Sequence, residues 1–509
     1  MRTFADEIAA HGAAAPDRVA LTTPTGDVTY GELAARVEAV AGLLRRAGAG
    51  PERVCAVAVE RGPDAVVAMA AVVRAGAAFL TLDVEQPPAR LTALVTSGGA
   101  DLLLAADDAL AARLDLPIPG RPVLLTDETT ATATGTGTAT ARREPVAVTP
   151  DLLAYVSHTS GTTGEPSAVL IEHRGLDNYL RFVARDFGLG PDTVALQVAP
   201  LGYDASIRDT FAPLLAGGRV VLLPRGEVLR PESFGPAVRQ YGVNTLLSVT
   251  PSFLSHLAGR PDAGELLDGV RLMVSSGESL RPYLTAGGRA LVPGRLVNQY
   301  GPTECTMTST RHTVPAAAPD TDNDVIGTPI DGVVVRLLDA SLAPVADGEV
   351  GEVCIGGAGV ARGYRARPGR TAERFVPDPL GPPGARLYRT GDLARRSPDG
   401  LHYLGRSDRQ IKIRGYRVDP AEVEGALLTH DAVAGAVVTA DTDAQGRVFL
   451  LAHVTGTLDT VTDPALRLHL ARTLPPYLMP RRFVRLAELP TTRGGKTDRT
   501  ALAQAGAGR

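Results

Sequence analysis

The sequence predicts an α/β protein: a large N-terminal domain of covered β-sheets with helices, followed by a small α+β C-terminal domain. Three observations carry this expectation. Helix and strand periodicities alternate through the N-terminal part, as in a sheet covered by helices. The length of 509 residues exceeds what a single core usually supports. A second run of short strands and capped helices restarts near Asp408.

In chain order, Thr29 and Glu32 form a capping box, after which Leu33, Val37, Val40 and Leu44 recur at helical spacing until Gly48. The apolar run 54–59 reads as a buried strand. Residues 64–74 repeat the helical pattern, end at Gly76 and run into a strand over 77–82, which implies a largely parallel sheet. The tract 129–140, almost wholly Thr, Ala and Gly, has no periodicity and is expected to be a mobile surface loop. A strand over 153–158 leads into Thr159-Ser160-Gly161-Thr162-Thr163-Gly164. Further on, 401–404 and 410–414 read as strands around a charged turn. Asp419-Pro420-Ala421-Glu422 opens a helix with its cap, N1 proline and N3 acid in place. Strands over 434–440 and 448–454 and a helix over 464–474 complete the second unit. The expected domains are therefore 1–407 and 408–509.

Composition narrows the function classes. With 44% hydrophobic and 21% charged residues the chain reads as soluble and globular. A formal charge of -4 argues against a nucleic-acid or membrane partner, both of which reward a concentrated basic surface. No signal-peptide pattern opens the chain and Arg74 interrupts its apolar stretch 65–80, so a cytoplasmic location is expected. Cys55, Cys305 and Cys354 form no C-x-x-C pair, which speaks against a zinc site or a disulfide framework.

The six residues from Thr159 to Gly164 pack four hydroxyls and two glycines. Glycines let backbone N–H groups turn inward as an anion nest, and the hydroxyls add donors, so the segment suits phosphate. The Walker spacing G-x-x-x-x-G-K-[ST] is absent. An apparent dinucleotide fingerprint at Gly357 and Gly359 fails, because its third glycine falls on Arg362.

Further blocks surround this loop: Val28-Thr29-Tyr30-Gly31-Glu32-Leu33, Arg74-Ala75-Gly76-Ala77-Ala78-Phe79-Leu80, Asn298-Gln299-Tyr300-Gly301-Pro302-Thr303-Glu304 and Tyr388-Arg389-Thr390-Gly391-Asp392-Leu393. Towards the C-terminus come Gly405-Arg406-Ser407-Asp408 with Gln410-Ile411-Lys412-Ile413-Arg414-Gly415, then Leu474-Pro475-Pro476-Tyr477-Leu478-Met479-Pro480 and Gly494-Gly495-Lys496-Thr497-Asp498-Arg499. Together they resemble the adenylate-forming superfamily of acyl-CoA synthetases, luciferases and the adenylation domains of non-ribosomal peptide synthetases. The match is closest to the last group and covers nearly the whole chain.

The resemblance implies ATP- and Mg2+-dependent activation of an α-amino acid as its adenylate. Transfer to the phosphopantetheine thiol of a carrier protein would follow. Such chemistry asks the protein for positioning and charge neutralisation. By resemblance, Lys496 bridges the attacking carboxylate and the α-phosphate. Asp392 holds the ribose hydroxyls, with Arg406 as a further nucleotide contact. Tyr300 stacks on adenine, Asn298 meets its edge, and Gly301 and Thr303 belong to the same block. Gly277, Glu278 and Ser279 line the adenine pocket. Glu304 takes magnesium, and Asp408 is the hinge about which the lid rotates between two reactions. The loop departs from the family where Ser167 replaces a lysine expected to meet the β- and γ-phosphates.

Asp204 matches the aspartate that meets the substrate α-ammonium, and it also reads as a helix cap beside Ser206. Ala205, Arg208, Ser248, Val274, Ser276, Gln299, Met307 and Thr308 would line the side-chain pocket, with Lys496 at its far end. Arg208 there calls for a substrate acid or for a protein acid such as Asp209. A polar or acidic amino acid is expected. The chain stops soon after Lys496, so the carrier acts in trans or the sequence is part of a longer synthetase. A small activating partner protein remains compatible with either. The alternatives are an acyl- or aryl-acid CoA ligase, against which Asp204 speaks, and a weakened or inactive binding module, which Ser167 suggests.

Overall fold

The computed structural model describes residues 1–126, 146–160, 166–317, 319–408, 410–413, 415–443, 447–458, 461–490 and 498–506, and the statements below concern these residues. The tract 129–140 lies outside them.

Local sequence explains the first helix of the alternation. Thr29 Oγ1 accepts from the Glu32 N–H at 3.2 Å while the Glu32 carboxylate accepts from the Thr29 N–H at 2.8 Å, closing the box at the head of Tyr30–Arg46. Its buried face is Leu33, Val37, Val40, Ala41 and Leu44, as the spacing requires. Strands Val54–Ala58 and Ala78–Thr81 and the intervening helix Pro63–Arg74 follow in the expected order.

Seven strands form one sheet in the order Gly363–Tyr364, Ser167–Glu172, Leu153–Thr159, Ala78–Thr81, Val54–Ala58, Leu102–Ala105 and Val123–Leu124. It is parallel from Leu153–Thr159 onward, and Ser167–Glu172 returns antiparallel, so Thr159 faces Ser167 across the ladder.

The parallel pairing expected from residues 54–82 holds in this sheet, whereas the larger sheet is mixed. It is parallel through Arg219–Val221, Val194–Leu196, Thr245–Val249, Leu272–Ser276 and Arg295–Tyr300. From Thr310–Val314 to Val333–Leu338 every pairing is antiparallel. For one of these pairs the reason is connection length: Arg386–Ser397 and Gly400–Arg406 are joined by two residues, too few for a parallel crossover. One apolar cluster joins both sheets, with Val57, Phe79 and Tyr155 from one, Leu247, Val274 and Val297 from the other, and Leu176, Phe182 and Phe211 from helices between.

The C-terminal unit has its own core, in which Val423, Leu427, Val438, Leu450, Val454, Leu466 and Leu470 meet. Val433–Thr442 pairs antiparallel with Val448–Gly456, which pairs parallel with Arg482–Arg485. The helix expected over 464–474 is Asp463–Leu470. The Leu470 carbonyl already receives the N–H groups of Thr473 and Leu474, and Pro475 with Pro476 forbids continuation.

Candidate active site

Three adjacent parallel strands bring the pocket residues together at their carboxyl ends, the edge at which open α/β sheets place ligands. Thr245–Val249 supplies Ser248, Leu272–Ser276 supplies Val274 and Ser276, and Arg295–Tyr300 supplies Asn298, Gln299 and Tyr300, with Ser276 paired to Gln299 in register. Helix Ala205–Leu215 adds Ala205 and Arg208. Met307 and Thr308 come from the turn after Glu304, where Thr306 and Met307 both adopt left-handed backbone at φ 57° and 69°. Such conformations cost energy in non-glycine residues and cluster at functional sites.

Arg208 is buried and surrounded by neutral acceptors. Its Nε and Nη2 donate to Ser248 Oγ at 3.1 and 2.7 Å, and its Nη1 donates to the Tyr179 hydroxyl at 2.9 Å and to Gln299 Oε1 at 2.6 Å. The Nη2 contact to Ser276 Oγ is long, at 3.4 Å. Among the described residues no carboxylate lies within ion-pair distance of it. Asp209 is reached at one remove, because Ser248 Oγ donates to its Oδ1 while Oδ2 accepts the N–H groups of Val198 and Ala199. The direct pair with Asp209 is thus replaced by a hydroxyl relay.

The same pocket holds two buried polar atoms with no partner: the acceptor Asp204 Oδ2 and the donor Gln299 Nε2. Asp204 occupies the position before its helix but makes no capping bond, so the cap reading of this residue fails. Burial lifts its carboxyl above the ordinary range, against the opposing Thr303 hydroxyl and the Arg208 charge. Thr303, expected beside the nucleotide, bonds to Asp204.

The residues expected around a nucleotide also converge, largely bonded to one another. Asp392 accepts from the Tyr300 hydroxyl at 2.5 Å and from Arg406 Nη1 at 2.6 Å. Arg406 grips Asp408 with two further bonds of 2.6 and 2.8 Å. Burial raises the Asp408 carboxyl, but the Arg406 bonds overcome this and hold it below its usual value. Asn298 donates its amide to the Val325 carbonyl at 2.8 Å, Glu278 accepts from the Ser252 N–H at 3.0 Å, and Ser279 bonds to Asp324. Gly301 is held against Thr308, where a Cβ would come within 2.5 Å of its Cα.

The lid enters this site. Gly277, at φ +92°, lies so close to Gly415 that a Cβ would stand 3.1 Å from the Gly415 Cα. The Lys412 ammonium lies 5.3 Å from the Tyr300 ring centroid, and loss of surrounding water pulls it below its ordinary pKa. Arg417 Nη1 pairs with Glu304 Oε2 at 2.9 Å, and the Tyr364 hydroxyl donates to Oε1 at 2.7 Å. Burial raises the Glu304 carboxyl and Arg417 overcomes it, holding the group below the carboxylate range. Glu304 is thus an ionised buried carboxylate already neutralised by a cation. That donor chemistry fits magnesium once Arg417 is displaced.

Thr159 Oγ1 is buried without a partner, and Ser160 Oγ donates to the Arg417 carbonyl at 2.9 Å. Gly161, Thr162, Thr163, Gly164 and Lys496 lie outside the described residues. Sequence reasoning missed Tyr179, Tyr364, Arg370 and Arg417, which reach the site from separate elements. Lys412 sat inside a recognised block without a role.

No described helix is long and apolar enough to cross a membrane. A family model described as AMP-binding enzyme matches residues 8–365, and one described as AMP-binding enzyme C-terminal domain matches residues 422–496. The dimodular nonribosomal peptide synthase of Bacillus subtilis (strain 168) is 35% identical over 501 residues, covering 96% of this chain and 20% of that protein. Phosphinothricin tripeptide synthetase PhsC of Streptomyces viridochromogenes is 39% identical over 494 residues, covering 96% of this chain and 44% of that protein. The chain therefore spans less than half the length of these relatives. NpsA-ThdA, an artificially fused adenylation-PCP di-domain NRPS from Klebsiella oxytoca, superposes with a TM-score of 0.84 at 26% identity, covering 95% of this chain and 94% of that one. Holo-PA1221, an NRPS protein containing adenylation and PCP domains, gives 0.81 at 29% identity, covering 99% and 84%.

Proposed function

The chain belongs to the AMP-binding enzyme family, alongside adenylation domains of non-ribosomal peptide synthetases, and from that premise we propose that it activates an α-amino acid with an acidic side chain. The observation that carries this reading is the polar imbalance of the pocket, with Asp204 Oδ2 lacking a donor and Gln299 Nε2 lacking an acceptor beside the Arg208 guanidinium. A substrate ammonium satisfies the first. A side-chain carboxylate satisfies the second and takes over the long Nη2 contact to Ser276. Aspartate, glutamate, aminoadipate and modified relatives fit this description.

ATP is the second substrate. A substrate carboxylate oxygen attacks the α-phosphorus, the bond to the pyrophosphate oxygen breaks, and aminoacyl adenylate and pyrophosphate result. Lys496 would span the attacking carboxylate and the α-phosphate, Asp392 and Arg406 the ribose, and Tyr300 the adenine. Thr159 and Ser160 open the phosphate loop that continues through Gly161, Thr162, Thr163 and Gly164. Glu304 would hold magnesium, whose charge offsets that of the polyphosphate. Lys412 covers Tyr300 and Arg417 covers Glu304, so both must withdraw for this arrangement, which supports rotation of residues 408–509 against 1–407 about Asp408. The adenylate would then pass to the phosphopantetheine thiol of a carrier protein, supplied in trans or by a longer chain. The fused carrier domains of the two structural relatives support that partner.

Amino-acid-dependent ATP–pyrophosphate exchange tests the reading. An acidic amino acid is expected to lead the screen over its amide, and Arg208→Ala should cost it about 2–5 kcal/mol in kcat/KM. Leucine or phenylalanine leading, with Arg208→Ala neutral, overturns the substrate assignment. A deaminated analogue serving equally well removes the role of Asp204 and favours an acyl- or aryl-acid ligase.

A further inference from the structure

We infer that Arg370 supplies the positive charge that meets the β- and γ-phosphates of ATP, a role that no residue of the phosphate loop can fill. The inference rests on ATP being the nucleotide, as proposed above. Between Thr159 and Ser167 the sequence offers hydroxyls, glycines, a proline and the acid Glu165, but neither lysine nor arginine. Neutral donors orient a polyphosphate without neutralising it, and charge-assisted bonds are roughly twice as strong as neutral ones.

Arg370 stands at the described end of that loop. Its Nη1 donates to Ser167 Oγ at 2.5 Å, and Ser167 is the ladder partner of Thr159, so these two residues form the neck of the loop. Thr159 Oγ1, across that neck, is buried and without a partner. The Arg370 guanidinium also lies 4.6 Å from the centroid of the Tyr364 ring, whose hydroxyl bonds to Glu304, the candidate magnesium ligand. One aromatic side chain thus links the guanidinium to the metal acid. No carboxylate among the described residues lies within ion-pair distance of Arg370, whereas its neighbours Arg362 and Arg374 are both paired with acids. Among the described residues this cation is held by stacking and one hydroxyl rather than by a counter-ion, which keeps its charge available to an anion.

Binding of AMP and of a non-hydrolysable ATP analogue with magnesium, measured by calorimetry on the whole chain, separates this role from a structural one. Arg370→Ala is expected to weaken the ATP analogue about 10- to 100-fold and to leave AMP within a factor of two or so, since AMP lacks the outer phosphates. Arg370→Lys should recover part of the loss, and Ser167→Lys placed on the Arg370→Ala background should recover more. In exchange assays the loss should appear in KM for ATP and for pyrophosphate, not in KM for the amino acid. Equal weakening of AMP and the ATP analogue, or no weakening of either, overturns the inference. If no amino acid supports exchange in the parent chain, the activity proposed above fails while the two calorimetric titrations still decide the role of Arg370.

Discussion

Asp204 shows how one residue carries both function and instability. Its folded pKa is raised by burial above the unfolded value, so the native state binds more protons than the unfolded chain as pH rises through that window. The ionised carboxylate therefore costs stability that is absent below the unfolded pKa and fully present above the folded one. Asp204→Asn is expected to raise the melting temperature at pH 7, with the gain vanishing near pH 3, and to abolish amino-acid-dependent exchange at pH 7. For the parent enzyme KM for the amino acid should climb as pH falls towards the raised pKa, because the substrate ammonium needs the charged form. A flat KM profile, together with an unchanged melting temperature in Asp204→Asn, would deny this balance. That Arg208 and Gln299 lie together was legible in the sequence through the blocks that contain them. The hydroxyl of Ser248 as the link between Arg208 and Asp209 was not, since these residues come from a helix and a strand forty positions apart.

At the scale of elements, the helix Pro420–Leu428 is the clearest case of local sequence read correctly and put to another use. Its start was legible: Asp419 caps it by accepting from the Ala421 N–H at 3.1 Å, and Pro420 fills the first turn. Glu422, in the N3 position of a capping box, turns instead to Arg90 in the helix Pro88–Gly98 of the other unit and forms a buried ion pair with it. Burial pushes the Glu422 carboxyl up, and Arg90 opposes this. Removing one member leaves an uncompensated buried charge, so Arg90→Ala and Glu422→Ala should each lower the melting temperature. The double replacement Arg90→Ala with Glu422→Ala should lose less than the sum, by about 0.5–3 kcal/mol. Additive losses in that cycle would show that the pair is not coupled. Periodicity could not reveal this contact, because an N3 acid looks the same whether it caps its own helix or faces a second domain.

Over the whole molecule, the C-terminal unit is held on the proposed nucleotide site by contacts of a kind that a ligand can replace. Tyr203 packs against Tyr416 at 4.6 Å, and Tyr416 stacks on Tyr477 at 3.9 Å, so core and lid share an aromatic cluster beside the Arg90–Glu422 pair. Arg417 on Glu304 stands where magnesium is expected. If that contact is populated about nine times in ten, Arg417→Ala should lower the magnesium concentration for half-maximal exchange about tenfold. An unchanged magnesium requirement would remove Arg417 as a competitor. The sequence by itself determined the fold class, the capped helices and the blocks that gather at the strand ends. Those are set by short-range periodicity, capping chemistry and motif spacing. Only the tertiary structure decided that most pairings of the large sheet are antiparallel, that Arg208 reaches Asp209 through Ser248, that Arg370 bonds to Ser167, and that Lys412 and Arg417 cover Tyr300 and Glu304. Each of these depends on which distant side chain fills a given space, and packing between separate elements leaves no period in the chain.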